Sequence, residues 1–591
     1  MIPRRGVMFM EHKSLRFKLR MIFPKKERRY LRKLFLLILI KTAFEFLGVS
    51  LILPFINLIV NPGLLEKQIW YRALVSILPG SDRNTLILFL ILLIIAVYVF
   101  KNLFAIYMAA VQNVFVTRNQ LETSARLLGC YLHKPYTFHL QHNTAEIMRS
   151  IQTDVGNSYN LVKSLITLTS CILLSGLLIV YLLAIDLWLT LSIVVGLSVY
   201  TVVYFLLVRK KLKAAGQEIR RMHTSMIKTI QQGKGSIKEV KLLGREDYFV
   251  DAYRANADSY VRNYRRYTIL SNVPKHLVEV LCISGVLGLV AIKVAAKQDL
   301  TSMIGSLSAF AVAAIRLLPS ANTINSTINT ISFQIPSLNA ICELVGGKNR
   351  ESSATPVLSE GEAHRDRRQA DICVENVSFT YPGTDSPVLK DISFTVRARS
   401  SVGIVGVTGA GKTTLVDIIL GLLGPQSGRI LFGGADIRDD YAGWQNRIGY
   451  IPQNIYLADE SICENVALGL KRDQIDEARV WKALEAAQLA EFVRSLKDEI
   501  NTVVGEHGVR LSGGQRQRIG IARALYRDPD ILFLDEATSS LDMETERAVM
   551  DSIHKLSGEK TCIIITHRLS TIENCDDIYE IANGHISSKC L

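Results

Sequence analysis

The sequence predicts a membrane-spanning helical bundle followed by a soluble α/β domain built on a P-loop. Three observations lead there. Six apolar runs of spanning length fill the chain ahead of residue 330, a strand–loop–helix phosphate cradle follows near residue 406, and mean hydropathy is +0.22 although 21% of residues are charged. Soluble chains rarely average apolar, and purely membrane-embedded ones rarely keep so many charges, so two parts in different solvents are expected. A length of 591 residues excludes a single hydrophobic core.

The apolar runs lie near 34–60, 86–111, 161–184, 187–208, 270–294 and 302–325, each long enough for the roughly 20 residues a spanning helix needs. Only Ala184 to Leu187 joins the third to the fourth, which predicts a tight extracytoplasmic turn. Basic residues set the orientation. The stretch 209–268 carries fifteen Lys/Arg against six Asp/Glu, and residues 1–33 carry twelve against two. The N-terminus, the segments 112–160 and 209–268, and the C-terminal domain are therefore expected on the cytoplasmic side of the cytoplasmic (inner) membrane. Six spans satisfy that parity in a multi-pass chain. The net charge of +15 then reads as positive-inside bias or attraction to anionic lipid rather than nucleic-acid binding.

Residues 1–33 hold no short apolar core with a cleavage site, so no signal peptide is read. They fit a solvated basic arm or an interfacial elbow helix with Phe17, Leu19, Met21, Ile22 and Phe23 dipping into lipid. The six-helix domain covers 34–345. Within it, 112–160 and 209–268 read as helical extensions that turn at short polar bends, His133–Phe138 and Ser236–Glu246. Residues 346–370 are polar and aperiodic and form a linker to the α/β domain, 371–591. Nine cysteines with no CxxC pair argue against a metal site or a disulfide framework.

In the α/β domain, Ser401 to Val405 reads as a buried strand. It runs into Gly406-Val407-Thr408-Gly409-Ala410-Gly411-Lys412-Thr413-Thr414 and an apolar helix through Leu423, a Walker A loop in its required context. Glycines let backbone N–H groups from Thr408 to Thr414 close on phosphate, and the helix N-terminus adds its dipole. Lys412 is expected on the β/γ-phosphates and Thr413 on Mg²⁺. Further on, Asp530 to Glu536 is an apolar strand ending in two carboxylates. Asp535 suits the Mg²⁺ shell, and Glu536 suits positioning or deprotonating an attacking water. ATP and Mg²⁺ are the expected cofactors.

Between these motifs stands Leu511-Ser512-Gly513-Gly514-Gln515. With it the chain resembles the ABC transporter family, of exporter type, over nearly its full length. The resemblance implies that Ser512, Gly513, Gly514 and Gln515 form a second anion cradle. In the family it closes on the ATP held by a partner's Walker A, so a homodimer is implied. By the same resemblance Tyr381 stacks on adenine, Gln453 is the Q-loop glutamine that touches Mg²⁺, and Gly505 to Gly508 is the X-loop. Ser539 to Asp542 is then the D-loop, and His567 the switch histidine holding the γ-phosphate. The two bends correspond to coupling helices. ATP hydrolysis coupled to transport is the implied activity, with both sites of the homodimer hydrolytic.

The ATPase motifs do not name a cargo. Charges inside spans are functional candidates. Lys101 and Arg316 lie about 15 and 14 residues in from the outer ends of the second and sixth runs, roughly 21–22 Å deep at 1.5 Å per residue. Four such cations in a dimer suit an anionic headgroup, phosphate or pyrophosphate. The bland alternative is snorkelling, or pairing with Glu45. Phe46 to Phe55, Arg316 to Asn322 and Ile237 to Glu246 are similar to PglK-type flippases of lipid-linked oligosaccharides. An apolar stripe of Ile69, Trp70, Leu74, Ile77 and Leu78 resembles that group's external helix. Thr323 departs, standing where a further cation would strengthen the anion site. The implied cargo is a polyprenyl-pyrophosphate glycan. An exporter of other lipids, lipid A-like, or of drugs is the alternative, and a soluble ATPase on nucleic acid is excluded by the six runs.

Overall fold

A computed structural model of the chain describes residues 14–23, 25–51, 55, 83–184, 187–295, 304–346, 370–537, 543–556, 558–568 and 571–589. The expected D-loop, the outer apolar stripe, most of the linker and the side chain of Arg316 lie outside the described residues. Contacts divide the chain into two compact units. One holds residues 3–134 and 141–350, and the other 135–140 and 351–591.

Among its described residues the first unit is helical. A short helix α1 (Leu15–Ile22) starts at Ser14, whose hydroxyl accepts from the Phe17 N–H, a capping contact that satisfies one orphan donor. Then come α2 (Lys25–Ser50), α3 (Arg83–Leu132), α4 (Tyr136–Gln141), α5 (Thr144–Arg149) and α6 (Val155–Leu183). They are followed by α7 (Leu187–Gly235), α8 (Ile237–Leu243), α9 (Glu246–Ala295) and α10 (Ile304–Gly346). The helices α3, α7, α9 and α10 run 50, 49, 50 and 43 residues. At 1.5 Å per residue they reach roughly 65–75 Å, twice the hydrocarbon thickness. Apolarity stops near the membrane boundary while helix propensity does not, so α3 continues past residue 111 to the first expected bend.

The apolar face of α3 is turned outward. Leu88, Leu92, Ile95, Val99, Leu103 and Ile106 recur every three or four residues, and each is more than half exposed. Such a stripe is costly in water and suits lipid. Inside, Val49, Leu174 and Leu178 form a core against Phe46 and Leu317. The elbow expectation is corrected in part. Ile22 and Phe23 are each 2% exposed, and the Phe23 ring meets Tyr159 edge-on with centroids 5.5 Å apart. Aromatic packing inside the bundle takes them, while Phe17 stays exposed.

Both bends are short helices. The left-handed Gly244, with φ of 56°, stops α8, as helix C-caps commonly do. The bend helix α4 belongs with the second unit.

The second unit packs two sheets. An antiparallel sheet has the order β2-β1-β4-β5, and a six-stranded sheet has the order β10-β9-β3-β8-β7-β6. The strands are β1 (Ile372–Phe379), β2 (Leu389–Val396), β3 (Ser401–Val405), β4 (Ser427–Phe432) and β5 (Ala435–Asp436). The rest are β6 (Ile448–Ile451), β7 (Ile531–Asp535), β8 (Thr561–Ile565), β9 (Asp577–Ala582) and β10 (His585–Ser588). In the larger sheet β9, β3, β8, β7 and β6 are parallel neighbours. Strands β3, β7 and β8 are buried along their whole length, as a parallel sheet covered on both faces requires.

The helix α11 (Lys412–Ile419) follows β3. It ends four residues short of the expected Leu423, where the buried Trp444 indole donates to the Ile419 carbonyl at 2.9 Å and satisfies a terminal acceptor. The remaining helices are α12 (Tyr441–Asn446), α13 (Ile462–Val466), α14 (Glu477–Ala486), α15 (Ala490–Ser495), α16 (Gly513–Leu525) and α17 (Met543–Leu556).

Candidate nucleotide site

The parallel register brings the ends of β3, β7 and β8 side by side, with Ile404 opposite Ile565 and Asp535 opposite Ile565. Residues 406–412, 535–536 and 566–567, far apart in sequence, therefore share one sheet edge. Ligands of open parallel sheets sit outside the carboxyl ends of the strands.

Gly411 is the N-cap of α11 at φ of 106° with no side-chain cap, so the first N–H groups of the helix are left to an outside acceptor. A Cβ there would come within 2.8 Å of the Leu389 side chain, so both conformation and space demand glycine. Thr408 and Gly409 are exposed in this loop, Ala410 is buried, and the first-turn Thr413 is exposed. The Lys412 ammonium lies inside the loop and donates to the carbonyls of Gly406 at 2.7 Å and Val407 at 3.2 Å. The Thr414 and Tyr381 hydroxyls are 3.0 Å apart, and the Tyr381 ring stands edge-on to Phe379 with centroids 5.1 Å apart.

Two side chains converge on Glu536. The Gln453 amide donates to Oε2 at 2.7 Å, and His567 Nδ1 lies 3.4 Å from Oε1. Glu536 itself has φ of 48°, a left-handed conformation uncommon outside glycine and typical of strained functional positions. Asp535 is 5% exposed. Burial pushes its carboxyl up, the neighbouring Glu536 adds to that, and Lys412 opposes it.

Sequence reasoning missed three residues. Asp417, on α11, is 8% exposed, and burial followed by the charge of Asp535 pushes its carboxyl to about 6. Tyr450 hydrogen bonds with Asp535, and burial raises its phenol. Tyr136, in α4, lies close enough to Asp417 and Tyr381 that their charges add to the upward push of burial on its phenol. An aspartate inside the apolar run Leu415-Val416-Asp417-Ile418 was a readable signal. The partners of Tyr136 were not, because nothing local encodes them.

The signature residues sit elsewhere on the same unit. Ser512 is the N-cap of α16, and its hydroxyl accepts from the Gln515 N–H at 3.2 Å while Gln515 Oε1 accepts from the Ser512 N–H at 2.8 Å. This reciprocal box leaves Gly513 and Gly514 as the first residues of the helix. Among the described residues no group of three or more His, Cys, Asp and Glu is arranged to hold a metal.

In the membrane unit Lys101 is 6% exposed, with its ammonium 3.8 Å from the Tyr98 ring centroid. Glu45 pairs with Lys41 at 3.6 Å. The Thr323 hydroxyl turns back to the Pro319 carbonyl at 2.8 Å.

Comparison with known proteins agrees with this architecture. The family described as ABC transporter matches residues 389–539, and the ABC transporter transmembrane region matches residues 35–313. An ATP-dependent lipid A-core flippase of Cupriavidus pinatubonensis is 31% identical over 79% of this chain and 78% of its own length. One of Ralstonia nicotianae is 30% identical over 81% and 80%. A bacterial Atm1-family ABC exporter solved with ATP bound superposes with a TM-score of 0.77 at 23% identity, covering 95% of this chain and 94% of that one. The chain therefore belongs to the ABC transporter family, as a multi-pass membrane exporter half that carries one transmembrane domain and one ATPase domain and couples ATP hydrolysis to transport.

Proposed function

We propose that the chain works as a homodimer in the cytoplasmic membrane and flips an amphipathic lipid whose headgroup carries phosphate. The observation that carries this reading is the similarity to the lipid A-core flippases over four-fifths of the chain. Lys101 supports it, since a cation buried against Tyr98 within a membrane helix suits an anionic group. Arg316, about 14 residues into the sixth apolar run, is expected at a similar depth by sequence. The cargo class is a (pyro)phosphate-anchored glycolipid. A polyprenyl-pyrophosphate oligosaccharide is the narrower reading, favoured by the PglK-like segments, and a lipid A-like glycolipid is the second, favoured by the relatives.

The ATPase half supplies the drive. Backbone N–H groups from Thr408 to Thr414 and the Lys412 ammonium bind the phosphates. Thr413, Gln453 and Asp535 hold Mg²⁺, which supplies charge neutralisation on the phosphates. Asp417 and Asp535 fit that need, since two neighbouring buried carboxyls pushed upward gain from a nearby cation. Tyr381 stacks on adenine. Ser512 to Gln515 closes over the nucleotide of the partner subunit. Glu536, oriented by Gln453 and His567, positions the attacking water and takes its proton. Releasing the Gln453 and His567 contacts frees both Glu536 oxygens for that water.

The test is ATPase stimulation in lipid nanodiscs by a short polyprenyl-pyrophosphate glycan and, separately, by lipid A-core. Stimulation by either, weakened at least tenfold in a Lys101→Ala/Arg316→Ala variant, supports the reading and selects the cargo. Stimulation by neither, with strong stimulation by hydrophobic cations, assigns the chain to drug export.

A further inference from the structure

A second polar feature of the membrane unit stands apart from Lys101. A cavity of about 200 Å³ opens between α1, α7 and α10, and its polar wall is Lys18, Arg209, Lys213, Ser332 and Asn339. Three of its lining residues are cations and none is an acid. Lys18 is 5% exposed, and its ammonium donates to Asn339 Oδ1 at 2.8 Å, which fixes the charge at the wall. Arg209 lies over the Phe205 ring at 5.3 Å, so its guanidinium is steered at the rim. Glu343 stands one turn beyond Asn339 on α10, and three cations outweigh it.

The position of the cavity matters as much as its charge. Leu206 and Leu207 are 68% and 69% exposed, and the basic run Arg209, Lys210, Lys211, Lys213 begins just after them. An outward apolar face that gives way to cations marks the headgroup level of a bilayer. Leu15 and Ile335 close the cavity with apolar side chains. Its volume is below the roughly 300–1,000 Å³ of pockets that enclose whole drug-sized ligands, so it takes a headgroup and not an entire amphiphile.

A row of amides leads away from it. On α10, Asn339, Ser332, Asn329, Asn325 and Asn322 fall on one face at helical spacing. Asn329 and Asn325 are 2% and 3% exposed; the Asn329 amide meets the Tyr204 hydroxyl, whereas the Asn325 amide nitrogen has no hydrogen-bond partner among the described residues. Buried unmatched donors are costly, and polar side chains retained at membrane depth mark substrate paths.

We infer that this cavity docks the phosphate of an anionic lipid headgroup at the headgroup level of the bilayer, and that the α10 amides offer the next polar contacts to that headgroup. The cations neutralise the phosphate, and the Asn339 amide nitrogen supplies a neutral donor, its oxygen being held by Lys18. The inference rests on the lipid-flipping reading for the lipid nature of the ligand. The phosphate site itself is read by binding alone, without ATP or transport.

The experiment titrates the full-length protein in detergent with dihexanoyl phosphatidic acid, dihexanoyl phosphatidylcholine or inorganic phosphate, with binding read by native mass spectrometry. Phosphatidic acid is expected to bind at least tenfold more tightly than the other two. The Lys18→Ala/Arg209→Ala/Lys213→Ala variant is expected to lose at least tenfold in that affinity, and Lys18→Arg/Arg209→Lys/Lys213→Arg to keep it. Equal binding of phosphatidylcholine, or unchanged affinity in the alanine variant, overturns the site. Equal binding of inorganic phosphate overturns the lipid assignment. Retained phosphatidic acid binding without flipping activity overturns the functional reading and leaves this site standing.

Discussion

Two buried asparagines show how differently the halves of this chain use a polar group. In the ATPase domain Asn465 is fully buried, and its amide nitrogen donates to the carbonyls of Ala458 at 3.0 Å and Ser461 at 3.1 Å. Its oxygen accepts from the Ala458 N–H at 2.9 Å and from Arg523 at 3.3 Å. Both ends of the amide are occupied by the fold. Asn325 of α10 is nearly as buried, yet its amide nitrogen finds no partner among the described residues. A satisfied amide is scaffold. An unsatisfied one is kept against a stability cost, and the cost is compensated by something other than folding.

The largest effect expected on the chemistry is at Glu536. Glu536→Gln removes the base while sparing the nucleotide contacts, so steady-state hydrolysis falls at least ~100-fold with ATP affinity within a factor of three. Hydrolysis near the wild-type rate contradicts the role given to this carboxylate.

Two substitutions separate the matched asparagine from the unmatched one. Asn465→Ala is expected to cost about 2–4 kcal/mol, since it strips several buried bonds and strands their partners. Asn325→Leu is expected to leave thermal stability unchanged or higher by up to ~1 kcal/mol, because an unmatched donor leaves the interior. Its transport rate falls. Equal destabilisation by both substitutions, read from melting midpoints, removes the distinction.

Asp417 gives a pH signature. Its folded carboxyl titrates at about 6 against an ordinary 3.8, so the folded state holds the proton more tightly than the unfolded one. The resulting stabilisation is full below about pH 4 and is lost as pH rises through 6. Asp417→Asn, permanently neutral, is therefore expected to gain on the wild type as pH rises from 4 to 7, by about 1–3 kcal/mol in the absence of Mg²⁺. A constant offset between the two proteins across that range contradicts the assignment.

The smallest effect separates two capping boxes of the same geometry. Ser461 pairs with Glu464, and Ser512 with Gln515. Ser461→Ala and Ser512→Ala should each cost about 1 kcal/mol. Only Ser512→Ala is expected to lower hydrolysis, by more than tenfold. Equal ATPase rates in the two variants make Ser512 a cap and nothing more.

The legible and illegible parts of the molecule divide along a physical line. The strand Ser401 to Val405 and the loop after it are written in consecutive residues, because phosphate binding needs glycines and a lysine at fixed spacing. The structure places both where the sequence put them. The bends at 136–141 and 237–243 were readable as polar breaks between apolar runs. The clasp of Gln453 and His567 on Glu536 joins residues 83 and 31 positions apart, and only the parallel sheet brings them together. Phe23 looked like a lipid anchor because its local sequence is amphipathic, but tertiary packing against Tyr159 claimed it. The cation cavity draws on three helices, so no single stretch of sequence announces it.

Hydrolysis at Glu536 is proposed to drive a phosphate-bearing lipid across the bilayer. The most direct measurement reconstitutes the full-length protein in proteoliposomes with a fluorescent polyprenyl-pyrophosphate glycan or lipid A-core analogue and follows its transfer between leaflets. The account predicts transfer that requires ATP and Mg²⁺, is lost in Glu536→Gln, and is weakened in Lys101→Ala. Vigorous ATP hydrolysis with neither glycolipid moved, or transfer that persists in Glu536→Gln, contradicts it.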